Sequence, residues 1–333
     1  MIYPEFPAID STIGICAPSA GIGRKLESFD MSVSALKNMG YSVTETESVR
    51  VDALRPSSGK QRAEEFHSLL INPKVKTIIA ASGGEYNFEV LPYLDKNLMQ
   101  SNPKWFCGYS DPTNIMYYMT TVMDIATIYG VNAGAFDWRP LHLFQANALE
   151  IISGNIVEQE SFDMWDSERD WRNVNMNTPV SWDLYLPNQD APSLSEQEFK
   201  GRLIGGCTDV ICKLIGTPYD GTKDFLDRYK KDGFIWYLDT YEMSPNLLYL
   251  TMLQMKAAGF FTNAKIIIFG RPMYTANALD EEYIELLKMA FNNIPFIWGA
   301  DIGHTKPVMT IINGSIGTVT CNNKRAKLCM ELK

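Results

Sequence analysis

The chain predicts an α/β protein, with an N-terminal, mostly parallel sheet wrapped by helices. Three observations carry that prediction. Strand-length apolar runs such as STIGIC, VKTIIAAS and KWFCGY recur along it. Between them lie segments whose apolar residues repeat at helical spacing. These connections are long enough for crossover helices, which parallel strands need and hairpin-linked strands do not.

The elements follow in order. STIGICAPSA reads as a buried strand ending in a turn, and SFDMSVSALKNMG as a helix with a glycine stop. YSVTETESV is β-rich. SGKQRAEEFHSLLINP reads as a helix closed by Asn-Pro, and VKTIIAAS as a strand running into Gly83-Gly84. FEVLPYLD and the run before NPKW look helical. KWFCGY is a strand, PTNIMYYMTTVMD a helix, and ATIYG the next strand.

Residues 155–199 break this rhythm. They are polar and dotted with Trp, and such a long irregular segment is often functional. From residue 200 the alternation resumes with GRLIGGCTDVICKLIG, FIWYLD, PNLLYLTMLQMKAAG, KIIIFG, DEEYIELLKMAF and FIWGADIG. The tail PVMTIINGSIGTVTC predicts a β-hairpin turning at Asn313-Gly314. The expected organisation is a first domain over 1–155, a linker or substrate-proximal segment over 156–199, and a second domain over 200–333.

Bulk composition narrows the function classes. The chain has 333 residues, 46% hydrophobic and 21% charged, with a net charge of −9. No Lys/Arg run suggests the basic face that a nucleic-acid binder normally carries. No apolar run approaches the roughly 18 residues of a membrane span, and the start lacks the pattern of a signal peptide. The six cysteines include no CxxC pair, so neither a disulfide scaffold nor a clustered metal site is expected, and a reducing cytoplasm fits. No phosphate-binding glycine loop and no HExxH appear.

The chemistry-bearing residues sit just past predicted strands. Ser110, in GYSDPTN, lies where a strand feeds a turn and then a helix, a corner that exposes a serine hydroxyl and points backbone amides at a substrate. The same Asp111-Pro112 pair also reads as an ordinary helix start. A serine nucleophile usually needs an imidazole, and only His67, His142 and His304 are present. His67 lies inside a helical run and His142 among apolar residues. His304, in GADIGHTKP, follows a strand end, where open α/β sheets place active groups. Asp239, ending FIWYLD, and Glu242, in the loop after it, are both candidates to orient that imidazole. One amide of Gly83-Gly84 could pair with the Asp111 amide as an oxyanion hole.

Taken together, IGICAPSAGI, RAEEFHSLLINPKVKTIIAASGGEYNFEVLPYLD, GYSDPTN, GRLIGGCTDVICKLIGTPY and GHTKPVMTIINGS resemble the LD-carboxypeptidase family of serine peptidases, which includes the microcin C immunity proteins. The resemblance spans nearly the whole chain. It implies Ser110 as nucleophile, His304 as general base, and Gly84 and Asp111 as donors of the oxyanion-hole amides. The family's third member is a Glu in an L-E-x-x-E stretch. Here that stretch reads Leu238-Asp239-Thr240-Tyr241-Glu242, so Asp239 takes the aligned position and Glu242 is the alternative.

The resemblance also implies a C-terminal swivelling β/α domain, a site between the domains, no metal or organic cofactor, and a homodimer. The 156–199 segment is more similar to the immunity branch, which implies a small peptide or aminoacyl-nucleotide substrate, with Trp171 or Trp182 stacking on a base. Two rival expectations stand beside this one. The first is a carboxypeptidase acting on the murein tetrapeptide at an L,D bond, and the second is a non-catalytic ligand-binding protein on the same fold.

Overall fold

The computed structural model describes residues 1–168, 174–273 and 279–333. The chain divides into two compact units. One comprises Met1–Val157 with Thr310–Asn313, the other Glu158–Met309 with Gly314–Lys333.

The first unit alternates strand and helix as its sequence pattern predicts: β1 (Thr12–Cys16), α1 (Leu26–Asn38), β2 (Ser42–Glu45), α2 (Gly59–Ile71), β3 (Val75–Ala80), α3 (Lys96–Ser101), β4 (Trp105–Gly108), α4 (Thr113–Val122), β5 (Thr127–Tyr129) and α5 (Leu143–Ser153). The sheet runs β5-β4-β3-β1-β2, all parallel, with the short strand Ile311–Asn313 added antiparallel to β5. The order reverses between β1 and β3, and it is at the carboxyl ends of strands beside such a reversal that open α/β sheets place their sites.

Helices on both faces explain why the strands are apolar on both sides. Ile13, Ile15, Ile78, Ile79, Trp105, Phe106 and Cys107 are all fully buried. FEVLPYLD departs from the expected helix. Asn87–Tyr93 is a 3-10 turn with Pro92 inside it, because proline removes the amide and crowds the carbonyl that a continuing α-helix needs.

The second unit contains β6 (Gln159–Glu160), β7 (Met164–Trp165), β8 (Thr178–Pro179), β9 (Asp183–Tyr185), β10 (Gln197–Cys207), α6 (Thr208–Leu214), α7 (Thr222–Arg228), β11 (Phe234–Asp239), α8 (Pro245–Ala257), β12 (Ala264–Gly270), α9 (Asp280–Ala290) and β13 (Phe296–Ala300). With Ile311–Asn313 taken as β14, β15 (Ile316–Asn322) and β16 (Arg325–Glu331) close the chain. Among the described residues the main sheet runs β6-β16-β15-β10-β11-β12-β13-β9. Its central β10 to β13 are parallel and its flanks antiparallel.

Two local expectations change. The 156–199 segment supplies the two edge strands of this sheet, β6 against β16 and β9 against β13. Asp301, fully buried, accepts from Phe162 N (3.1 Å) and from Trp182 Nε1 (2.9 Å), which ties that segment to the end of β13.

The tail does not turn back on itself at Asn313-Gly314. β14 pairs with β5 in the first unit, whereas β15 pairs with β10 in the second. Gly314, at φ +87°, donates its amide to Leu203 O (2.8 Å). The hairpin lies one strand later, between β15 and β16. Asn323 (φ +46°) and Lys324 (φ +64°) there supply the two left-handed residues of a tight turn. No helix among the described residues is long and apolar enough to cross a membrane.

Candidate active site

In the first unit, Ser110 occupies the corner between β4 and α4 with φ +67°. A left-handed serine is strained by about 1–3 kcal/mol and persists only where its surroundings over-determine it. Here they do. Tyr109 N donates to Asn132 Oδ1 (3.2 Å), Ser110 O accepts from Thr113 N (2.9 Å), and Asp111 O accepts from Asn114 N (3.1 Å).

The Gly-Gly loop after β3 packs against this corner. A Cβ at residue 83 would lie 3.1 Å from both Cβ and Oγ of Ser110, and one at Gly84 (φ +150°) would collide with Ser19 Oγ. Glycine at both positions lets the backbone come this close.

The Asp111 side chain binds the neighbouring loops together. Buried, it accepts from Ser19 Oγ, from Asn87 N (2.8 Å) and from Asn114 Nδ2 (3.0 Å). Arg62, inside α2 and 1% exposed, donates to Pro18 O (2.7 Å), Tyr86 O (3.0 Å) and Glu89 Oε2 (2.8 Å). Asn87 Nδ2 adds a bond to Pro18 O (3.0 Å). The loops after β1, β3 and β4 are thus joined through Asp111, Arg62 and Asn87. Ser19, Arg62 and Asn87 escaped the sequence reading, although an arginine at a core-facing position of a helical pattern is a usable signal.

In the second unit, Asp239 is the last residue of β11 and is fully buried. Its Oδ2 lies 2.8 Å from His304 Nδ1, and its Oδ1 accepts from Tyr241 N (3.1 Å). His304 sits on the loop after β13, its ring centroid 4.2 Å from that of Tyr241. Gly303, at φ +102°, lets this loop approach, since a Cβ there would run into Asp239 Oδ1. Glu242 is exposed, so the carboxylate beside the imidazole is that of Asp239.

Arg271, just past β12 and buried, holds the same loop. It forms an ion pair with Asp301 (2.8 Å) and donates to Gly299 O (2.9 Å), Thr305 Oγ1 (3.1 Å) and Pro307 O (3.3 Å). Its guanidinium carbon lies 4.8 Å from the centroid of the Trp165 ring. These contacts bracket His304 on both sides.

The other two histidines have local structural partners. His67 accepts from Asp95 N (3.0 Å), and His142 caps α5 with Gln145. Burial lowers the pKa of both. Trp182 is 2% exposed with its indole N–H on Asp301, so both ring faces are covered in the core rather than offered to a base. Trp171 lies outside the described residues.

A carboxylate this close to an imidazole nitrogen is an arrangement that can orient a histidine as a base. A serine on a strained strand-to-helix corner, beside a Gly-Gly loop, presents a hydroxyl and backbone amides. Residues 13–130 match the model of the LD-carboxypeptidase N-terminal domain, and residues 200–319 that of the LD-carboxypeptidase C-terminal domain, together more than half of the chain.

The chain belongs to the LD-carboxypeptidase family.

With membership comes the class of chemistry, that of a carboxypeptidase-type hydrolase of the serine peptidases. In sequence the chain is 23% identical over 333 residues to the microcin C7 self-immunity protein MccF of Escherichia coli, covering 96% of this chain and 94% of that protein. A structure of MccF in complex with aspartyl sulfamoyl adenosine superposes with a TM-score of 0.78 at 21% identity, covering 100% of this chain and 99% of that one. An MccF-like protein from Bacillus anthracis gives 0.80 at 22% identity, over the full length of both chains. The muramoyltetrapeptide carboxypeptidase of Oxalobacter formigenes gives 0.73 at 20%, covering 96% and 98%.

Proposed function

We propose that this family hydrolase cleaves the amide bond of a small peptidyl- or aminoacyl-nucleotide conjugate through an acyl-enzyme. Ser110 attacks the carbonyl. His304 takes the serine proton through Nε2 and returns it to the leaving amine, and Asp239 holds the imidazole. The amides of Gly84 and Asp111 receive the oxyanion. Water then releases the acyl group, with His304 as base.

The observation that carries this reading is the 2.8 Å approach of Asp239 Oδ2 to His304 Nδ1. It supports a serine-hydrolase base of the kind Ser110 needs. The nucleotide part rests on the likeness to MccF, whose complex holds an aminoacyl-nucleotide analogue. The cytoplasmic setting expected from the cysteine pattern and the homodimer expected from the resemblance belong to the same proposal.

The second reading is a murein tetrapeptide LD-carboxypeptidase, favoured by the likeness to the O. formigenes enzyme. One experiment separates the two. The chain is assayed in parallel on an aminoacyl-sulfamoyl nucleoside and on a murein tetrapeptide, with a fluorophosphonate probe reporting on Ser110. Labelling of the wild type but not of Ser110→Ala, with turnover of the nucleoside alone, is expected. Turnover of the tetrapeptide alone selects the second reading. Equal turnover by wild type and Ser110→Ala sinks both.

A further inference from the structure

Three metal-ligating side chains of different kinds converge at the strand ends of the second unit. Cys207 ends β10 and Asp239 ends β11, and the two are register partners. His304 joins them from the loop after β13. One ligand atom from each, a thiol sulfur, a carboxylate oxygen and an imidazole nitrogen, lies within 4.8 Å of the others.

A tetrahedral zinc ion, with bonds of about 2.0–2.3 Å, holds its ligand atoms roughly 3–4 Å apart, so movements of about an ångström would seat one. Cys207 and Asp239 are buried, which removes the competing water, and His304 reaches the surface with 12% of its side chain exposed. The Cys207 thiol donates to Asp209 Oδ1 at 2.9 Å, so the carboxylate is placed to receive the thiol proton, and Asp209 turns away once the sulfur binds as thiolate.

We propose that Cys207, Asp239 and His304 form a binding site for a thiophilic divalent cation of the zinc class. The sulfur and imidazole select against magnesium and calcium, which take oxygen ligands. Three protein ligands leave the fourth position to water. On binding, a sulfur–metal bond forms, the thiol proton leaves to solvent, and no electrons move. All three ligands belong to one unit, so the binding itself is independent of Ser110. Its consequence rests on the hydrolase reading: a ligated His304 no longer serves as a base, and the cation inhibits.

The test uses the full chain and cobalt(II) as probe. The wild type is expected to develop an intense thiolate-to-cobalt absorption, displaced by one equivalent of zinc. Cys207→Ala is expected to lose the absorption and at least about 100-fold in zinc affinity, more than loss of an outer partner costs. Cys212→Ala and Ser110→Ala are expected to keep both.

No thiolate absorption in the wild type, or one that survives Cys207→Ala, overturns the proposal. Should Cys207→Ala fail to fold, zinc-edge X-ray absorption on the Cys212→Ala/Cys329→Ala double variant reads the same bond. One sulfur at about 2.3 Å supports the site, and a shell of nitrogen and oxygen alone overturns it. Fluorophosphonate labelling without cobalt binding defeats only this inference. Cobalt binding without labelling defeats only the hydrolase reading.

Discussion

Asp239 Oδ2 lies 2.8 Å from His304 Nδ1, and the second oxygen of the same buried carboxylate accepts from Tyr241 N at 3.1 Å. The carboxylate is held from one side by its own strand-end turn and meets the imidazole on the other. A backbone bond to one oxygen fixes the direction in which the other points.

Asp239→Asn tests what this contact does. The amide keeps the shape but presents a donor or a neutral oxygen to Nδ1, so the wrong tautomer becomes available. The expected loss in kcat is on the order of 10³–10⁴-fold, with KM little changed. Steady-state kinetics on the better of the two substrates checks it. A loss below about tenfold would assign the orienting role elsewhere.

Ser110→Gly separates stability from activity. The left-handed φ of +67° costs serine energy that glycine does not pay. The variant should lose hydrolysis entirely while gaining about 1 kcal/mol in denaturant unfolding. A lowered midpoint would mean that contacts of the hydroxyl outweigh the strain.

Arg271→Met removes the donors that hold the loop on either side of His304 and leaves Asp301 buried without its ion-pair partner. Breaking one side of a buried pair costs about 3–5 kcal/mol. Chemical denaturation should show that loss, and kcat should fall as the His304 loop loosens. Arg271→Lys should recover part of the stability but little of the rate, because an ammonium cannot span Gly299 O, Thr305 Oγ1 and Pro307 O together. A loss in stability under about 1 kcal/mol for Arg271→Met would show that the loop is held by other contacts.

Lys104 offers a pH test. Its ammonium caps the end of α2, donating to Leu69 O (3.0 Å) and to Asn72 O, and burial pushes its pKa down to about 8. The unfolded chain therefore binds this proton more tightly than the folded one. Between about pH 8 and pH 10 stability should rise with pH through this group, and below pH 8 its contribution should be flat. Lys104→Met removes that slope, so the difference between the two unfolding curves measures it. A difference that does not change across the window would place the pKa at its ordinary value.

Much of the fold is legible because its signals are local. Continuous strand-length apolar runs, helical spacing and the glycines and prolines between them mark the parallel first unit. They also mark the corner that carries Ser110 and the strand end before His304. The short edge strands β6 and β9, two and three residues long, are beneath the length at which alternation can be read. Asn313-Gly314 at the end of β14 has the turn chemistry of a hairpin, but turn chemistry says where a chain bends, not which sheet receives the next strand.

The sequence by itself determined the alternation of strands and helices, the positions of the serine and the histidine, and the family. Tertiary structure alone chose Asp239 over Glu242 as the partner of His304, since that choice depends on the orientation of the strand end and on Gly303 admitting the loop. It also covered Trp182 and paired Arg62 and Arg271 with backbone carbonyls and acids far away in the chain. Burying a charge requires partners that converge from several elements, and convergence in space leaves no periodic trace along a sequence.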